Sequence, residues 1–116
     1  MEIQLSSPKI WLACQPVDFR KSIDGLTEVL ASQFGQSIGP DIVVFYNRAR
    51  NKLKLLARHQ FGCLLIYKRL DNRKFTFVEN QQGLYELSSS QLSWLLAGLD
   101  WYAMTHCNTL EFDDYF

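Results

Sequence analysis

Hydrophobic residues recur along the chain with two different spacings, and each spacing predicts one kind of element. Apolar residues fall every three or four positions in two stretches, 23–34 and 89–104, and this period is typical of amphipathic helices. Ser22 is a suitable cap for the first stretch, and Ser88 with Gln91 matches a capping box for the second. The pattern therefore predicts one helix near each end of the chain.

Between these helices, the spacing changes to that of short strands. Ile42–Tyr46 and Cys63–Arg69 contain continuous apolar runs, whereas Lys52–Ala57 and Lys74–Val78 alternate polar and apolar residues. Ile10–Cys14 predicts a further strand or extended segment near the N-terminus. Polar or glycine-containing turns separate the four strands between the helices, which is typical of hairpins. We predict an α+β fold, a small antiparallel β-meander with both helices packed on one face.

The length of 116 residues and mass of 13.5 kDa correspond to one domain. We expect a single domain over 1–116, with a core of about 8–104 and an acidic C-terminal tail over 105–116. No apolar run approaches the roughly 20 residues that cross a bilayer, and the N-terminus does not resemble a secretory signal. The three cysteines are scattered, so we expect a cytoplasmic protein with free thiols and no contact with membranes.

The formal net charge is zero, but the charges are sorted along the sequence. Residues 48–74 carry nine basic residues and one acidic residue, whereas residues 75–116 carry six acidic residues and no Lys or Arg. Such a basic segment attracts anionic partners even in a neutral protein. With two cations just before the first helix, the candidate nucleic-acid-binding residues are Arg20, Lys21, Arg48, Arg50, Lys52, Lys54, Arg58, Lys68, Arg69, Arg73 and Lys74.

The four basic residues between positions 48 and 54 all have even numbers. In a strand with a period of two, they would share one face, opposite Leu53 and Leu55. Their spacing of about 6.8 Å matches successive backbone phosphates. A solvated sheet face that prevents aggregation is the plainer interpretation, but such faces usually mix both signs of charge.

The sequence lacks the arrangements that most enzymes and metal sites require. Its histidines and cysteines form neither a CxxC nor an HxxxH pattern, and no phosphate-binding glycine loop occurs. A two-metal nuclease site would need three convergent carboxylates, and the candidates outside the tail are Asp18, Asp24 and Asp100. Asp24 lies in the first turn of the predicted helix, where it complements the helix dipole. We therefore expect no catalysis, metal or cofactor.

Several segments together resemble a known family. They are Ile10-Trp11-Leu12-Ala13, Asp18-Phe19-Arg20-Lys21-Ser22-Ile23-Asp24-Gly25-Leu26, Asn47-Arg48-Ala49-Arg50-Asn51-Lys52-Leu53-Lys54-Leu55-Leu56, Tyr67-Lys68-Arg69-Leu70, Lys74-Phe75 and the region from Leu87-Ser88 to Asp100-Trp101. In order and spacing they resemble the TnpB accessory proteins of the insertion-sequence sixty-six transposons, which are distinct from the RNA-guided nucleases of the same name. The resemblance covers roughly residues 8–102. In place of the family's usual Trp-Asp-Gly-x-Gly turn, this chain has His59-Gln60-Phe61-Gly62.

The resemblance implies a role in transposition beside a separate transposase and another accessory protein, without naming a biochemical activity. Combined with the charge pattern, it predicts a non-catalytic DNA-binding factor that contacts transposon ends and takes part in DNA recombination. The sequence also leaves open the formation of a homo-oligomer, because an aromatic-rich helix could supply a dimer surface. The alternative is an adaptor that docks the transposase through its basic face and never contacts DNA.

Overall fold

The structure is a computed structural model of the chain, and it describes residues 9–33, 35, 41–77 and 83–105. Within these residues, five strands and two main helices follow one another in the chain. They are β1 (Ile10–Ala13), α1 (Ile23–Gln33), β2 (Ile42–Tyr46), β3 (Lys52–His59), β4 (Gly62–Arg69), β5 (Leu84–Leu87) and α2 (Ser89–Leu96). Residues 101–105 are again helical. The predicted α+β class is confirmed, whereas the predicted acidic tail lies outside the described residues from position 106 onward.

The five strands form one sheet in the order β4-β3-β2-β1-β5. Strands β2, β3 and β4 pair antiparallel through successive turns, as the meander prediction required. Strand β1 is parallel to β2, and α1 lies between them in sequence, so this pair forms a β-α-β unit. On its other side, β1 pairs antiparallel with β5, a strand that the spacing of apolar residues did not predict.

The two faces of the sheet support separate hydrophobic clusters. Leu26 and Leu30 of α1 pack with Phe45 and other residues on one face. Leu95 of α2 and Trp101 pack on the opposite face with the alternate residues of the same strands. The expectation that both helices share one face is therefore wrong. Successive strand residues point to opposite faces, and the buried central strands β1 and β2 are apolar on both, so both faces require a cover.

The predicted last strand of the meander, Lys74–Val78, is not a strand in its described part, residues 74–77. Phe75 and Phe77 are nevertheless buried, with 2% and 8% of their surface exposed. Phe77 stacks on Tyr46 with ring centroids 3.9 Å apart. The alternation of polar and apolar residues therefore predicted the burial of these two side chains correctly. The segment does not extend the sheet beyond β4, however, but covers the α2 face of the sheet.

Helix α2 begins as the sequence predicted and ends earlier. The Ser88 hydroxyl accepts a hydrogen bond from the Gln91 amide, and the Gln91 side chain accepts one from the Ser88 amide, which completes the capping box. The helix ends at Leu96, and Gly98 adopts a φ of +80°. Helical structure resumes at Trp101, so the single helix expected up to about residue 104 is interrupted.

Candidate nucleic-acid interface

The topology gathers most of the basic residues at one end of the sheet. The β1–α1 loop, the β2–β3 turn and the segment after β4 all lie at this end, because β1 and β2 are parallel while β4 runs antiparallel to β3. All nine cations of this end are exposed or half-buried. We call them the basic end: Arg20, Lys21, Arg48, Arg50, Lys52, Lys68, Arg69, Arg73 and Lys74.

The β2–β3 turn is held by its own asparagines. The Asn47 side-chain amide donates to Asn51 Oδ1 over 2.8 Å, and Asn47 Oδ1 accepts from the Lys52 amide over 3.0 Å. Arg50 has a φ of +64°, in the left-handed region that usually favours Gly or Asn. These contacts engage the side chains of both asparagines within the turn. They fix the turn that carries Arg48 and Arg50.

The β1–α1 loop contains a tight acid–base pair. The Arg20 guanidinium donates to both oxygens of Asp18, with the shorter contact at 2.7 Å, and the Arg20 amide donates to Asp18 Oδ1 over 2.9 Å. The Arg20 side-chain hydrogen bonds, followed by the backbone one, lower the pKa of Asp18 to about 2. The carboxylate therefore stays charged over the whole physiological range and holds the loop and the Arg20 side chain in place.

Lys54 does not belong to the exposed basic end. It is 8% exposed, and its Nζ donates to the Phe19 carbonyl over 2.9 Å and to the Lys21 carbonyl over 2.6 Å. Its Nζ also lies 4.9 Å from the centroid of the Phe19 ring. Burial lowers the pKa of Lys54, and the charge of Asp18 partly opposes this effect. The prediction that Lys54 contacts phosphate is therefore corrected, because this side chain attaches the β1–α1 loop to the sheet.

Two further cations bind carbonyl groups at the C-terminal end of α2 and just after it. Lys68 Nζ donates to the Leu96 carbonyl, and Arg73 donates to the Gly98 carbonyl over 3.1 Å. Cations at a helix C-terminus complement its dipole and its unpaired carbonyls. Arg69 forms an exposed ion pair with Asp71 at 3.4 Å. Lys68, Arg69 and Arg73 thus already have partners, although each of them remains exposed.

Two open clefts flank the β2–β3 turn. The first, of about 470 Å³, separates the turn from the β1–α1 loop and is lined by Arg20 and Arg48 among others. The second, of about 260 Å³, lies between the turn and the segment after β4, with Arg73 and Lys74 in its wall. Ala49 lines both clefts. The turn therefore projects between two grooves, each with positive charge.

The predicted stripe of cations on one sheet face is not formed. Lys52 and Arg69 are directly opposite in register and share the α1 face, while Lys68 lies on the other face opposite Leu53. Arg58 pairs with Cys63 at the far end of β3, about 20 Å from Lys52 by strand geometry. The structure therefore separates Arg58 from the other candidates. Leu53 and Leu55 are buried on the face opposite Lys52, as expected.

Among the described residues, no group of three or more His, Cys, Asp or Glu side chains could hold a metal ion. Asp18 is engaged by Arg20, and Asp24 lies in the first turn of α1. Asp100 accepts a hydrogen bond from the Ala103 amide, over 3.1 Å, at the start of the last helical segment. Over the same described ranges, no helix is long and apolar enough to span a membrane.

The fold and the site define a small α+β protein whose cations meet at one end of an open sheet. Residues 8–106 match the family described as IS66 Orf2 like protein. The chain belongs to this family, the TnpB accessory proteins of IS66-type transposons, as the resemblance of its motifs implied. The matched region includes every residue of the basic end.

Two relatives from Sinorhizobium fredii (strain NBRC 101917 / NGR234) are similar over most of their length. Uncharacterized protein y4jC is 34% identical over 94 residues, which cover 80% of each chain. Uncharacterized protein y4hO is 31% identical over 96 residues, which cover 80% of this chain and 82% of the relative. No solved structure matches.

Proposed function

We propose that the protein is a non-catalytic accessory factor of transposition that binds DNA through its basic end. The phosphates of a transposon-end duplex contact the cations around the two clefts. The β2–β3 turn lies between the two lines of contact. Such contacts position a protein on DNA and supply most of its affinity, without reading sequence.

The uneven distribution of charge between the two ends of the sheet carries this proposal. Among the described residues, the basic end has nine exposed or half-buried cations and four acidic residues, Asp18, Asp24, Asp71 and Asp100. The opposite end has two cations, Lys9 and Arg58, and two acidic residues, Asp41 and Glu86, while Glu28 lies midway along α1. A local excess of one sign beside a cleft raises the potential that an anionic ligand meets.

Three of the cations are the strongest candidates for phosphate contacts. Arg48, Lys52 and Lys74 have no ion pair or side-chain hydrogen bond with any other described residue, and each lies in or beside a cleft wall. Arg20 is held by Asp18 at the rim of the first cleft, so it can meet a phosphate with little further loss of side-chain entropy. The buried Lys54 supports these contacts by fixing the loop.

Salt dependence of DNA binding tests the proposal. Fluorescence anisotropy with a labelled duplex of the transposon end should give a log–log salt slope of about −3.6 to −5.4, which corresponds to roughly four to six phosphates. Arg48→Ala, Lys52→Ala and Lys74→Ala should each make the slope shallower by about one. Arg58→Ala is the matched control, because it removes an exposed cation from the opposite end and should leave the slope unchanged.

Absence of binding at low salt would overturn the proposal and favour the adaptor, whose basic end would dock an acidic surface of the transposase. Binding with a slope near zero would also contradict phosphate contact. The same samples test the non-catalytic part: with Mg²⁺ or Mn²⁺ added, the duplex should stay intact. Metal-dependent cleavage that is lost in Asp18→Asn or Asp100→Asn would show that the protein is an enzyme.

A further inference from the structure

Strand β4 has an open outer edge. It is the last strand of the sheet and pairs with β3 on one side only. Among the described residues, no backbone hydrogen bond reaches its other side. An open edge is a template for another strand, and proteins usually protect it with charge, proline or a bulge. In β4 the stretch from Cys63 to Tyr67 has no charged residue and no proline.

The register fixes which amides face outward. Leu70 donates to the Asn51 carbonyl over 2.8 Å, so residues 70 and 51 form a hydrogen-bonded pair. Such pairs alternate along an antiparallel ladder, so the even-numbered residues of β4 bond to β3 and the odd-numbered ones face away from it. The outward backbone groups are therefore those of Cys63, Leu65, Tyr67 and Arg69.

The side chains in the middle of this edge are apolar and half-exposed. Leu64 and Ile66 each leave 45% of their surface exposed, on the α2 face, and Tyr67 leaves 50% exposed on the α1 face. Helix α2 contacts β4 at Lys68, whose Nζ donates to the Leu96 carbonyl. Leu64 and Ile66 therefore form an apolar patch beside the unpaired amides.

We propose that β4 pairs antiparallel with β4 of a second copy of the chain, with the Ile66 side chains facing each other on the two-fold axis. In this register Leu65 pairs with Tyr67 of the other copy and Cys63 pairs with its Arg69. Every outward-facing residue of both strands then lies in a hydrogen-bonded pair. The apolar patches of both copies meet on one face, and the two sheets become one continuous sheet.

The distribution of charge favours a second copy in this orientation. Lys68 lies opposite Leu64 of the other copy, so the two Lys68 side chains are four residues apart along the strand, or about 13 Å. This separation exceeds the Debye length of about 8 Å at physiological salt. Parallel pairing would instead place Lys68 against Lys68 and Arg69 against Arg69. This inference does not depend on whether the protein binds DNA.

Sedimentation equilibrium on the full chain, from about 1 to about 200 µM, tests the dimer directly. We expect a monomer–dimer equilibrium in the wild type. Ile66→Lys and Ile66→Glu should each weaken the dimer by about tenfold, because like charges then meet on the axis. Their equimolar mixture should recover dimers that contain one copy of each variant. Unchanged circular dichroism of both variants shows that folding is not the cause.

A second pair of variants tests the register. Leu64→Glu places a carboxylate opposite Lys68 of the other copy, whereas Leu64→Lys places a like charge there. The Glu variant should therefore form dimers about tenfold more tightly than the Lys variant. Equal affinities of these two variants, or no recovery in the Ile66 mixture, would overturn the proposal. A wild type that stays monomeric at every concentration would also overturn it, whether residues 106–116, another protein or nothing then covers the edge.

Discussion

Lys54 shows how one residue connects the sheet to a functional loop. Its neighbours in β3 follow ordinary alternation, with Leu53 and Leu55 buried on the opposite face. Its Nζ binds two carbonyls of the β1–α1 loop. A charged group this buried is tolerated because hydrogen bonds and the Phe19 ring replace its water. The basic segment of the sequence therefore contains one cation with a structural role among those that remain accessible.

Replacing this lysine should cost stability. Lys54→Met keeps much of the aliphatic volume but leaves the Phe19 and Lys21 carbonyls without a donor, so we expect a loss of about 1–3 kcal/mol of unfolding free energy. Urea denaturation followed by circular dichroism measures it. Lys52→Met, two residues earlier on the same face, should change stability by less than about 0.5 kcal/mol. Equal losses in the two variants would contradict the anchoring role of Lys54.

At the scale of elements, local patterns predicted what local interactions decide. Helix α1 has an apolar stripe, α2 has the Ser88 and Gln91 capping box, and β2, β3 and β4 follow one another through short turns. These features depend on residues close in sequence, and the structure confirms them. The parallel pairing of β1 with β2 and the addition of β5 beside β1 depend on long-range packing. The spacing of apolar residues in Ile10–Ala13 does not indicate which strands β1 pairs with.

The candidate interface shows the same difference between features set by nearby residues and features set by long-range packing. The sequence predicted which cations are candidates, since the 48–74 segment is basic throughout. It did not predict the burial of Lys54, which depends on where the β1–α1 loop crosses the sheet. It also did not predict the separation of Arg58, which follows from its place near the far end of β3. Just after helix α2, a usable local signal was present: Gly98 precedes an exposed Asp100, and the break between the two helical segments lies there.

Gly98 supports a prediction of its own. Its amide donates to the Leu95 carbonyl and the Leu99 amide donates to the Trp94 carbonyl, the two bonds of a Schellman motif. Its φ is +80°, and an added Cβ would lie 3.4 Å from Leu70. Gly98→Ala should therefore lower the unfolding free energy by about 1–2 kcal/mol.

Thermal denaturation measures this loss. The control is Ala97→Gly, which changes the adjacent residue at the helix end, where φ is −79°. It should cost less than about 1 kcal/mol, because no positive φ is involved. If Gly98→Ala were neutral, the left-handed turn would not be needed to separate the two helical segments.

At the scale of the whole molecule, zero net charge coexists with an electrically asymmetric structure. Every Lys and Arg lies in the described residues, and most of them line the basic end. The last stretch of sequence has the opposite sign, with Glu111, Asp113 and Asp114 and no basic residue. We hypothesise that this acidic segment, which lies outside the described residues, competes with DNA for the basic end. A plain solubilising tail is the alternative.

Neutralising these three acids distinguishes the two possibilities without shortening the chain. Glu111→Gln, Asp113→Asn and Asp114→Asn together raise the formal net charge from 0 to +3. The control triple variant, Glu28→Gln, Asp41→Asn and Glu86→Gln, makes the same change at described residues that line neither cleft. Both variants attract DNA through net charge, and this general effect falls off as salt screens it.

If the acidic segment competes locally, the tail variant should bind duplex DNA about tenfold more tightly than the control at low salt, a difference of about 1.4 kcal/mol. Both variants should approach the wild type at high salt, where about 3 Å of screening length remains at 1 M. Anisotropy titrations at matched salt concentrations measure the difference. Equal affinities of the two triple variants would mean that the acidic segment acts only through net charge. Because a competing segment occupies the cations that DNA needs, combining the tail changes with Arg48→Ala should then reduce the gain, whereas combining them with Arg58→Ala should leave it intact.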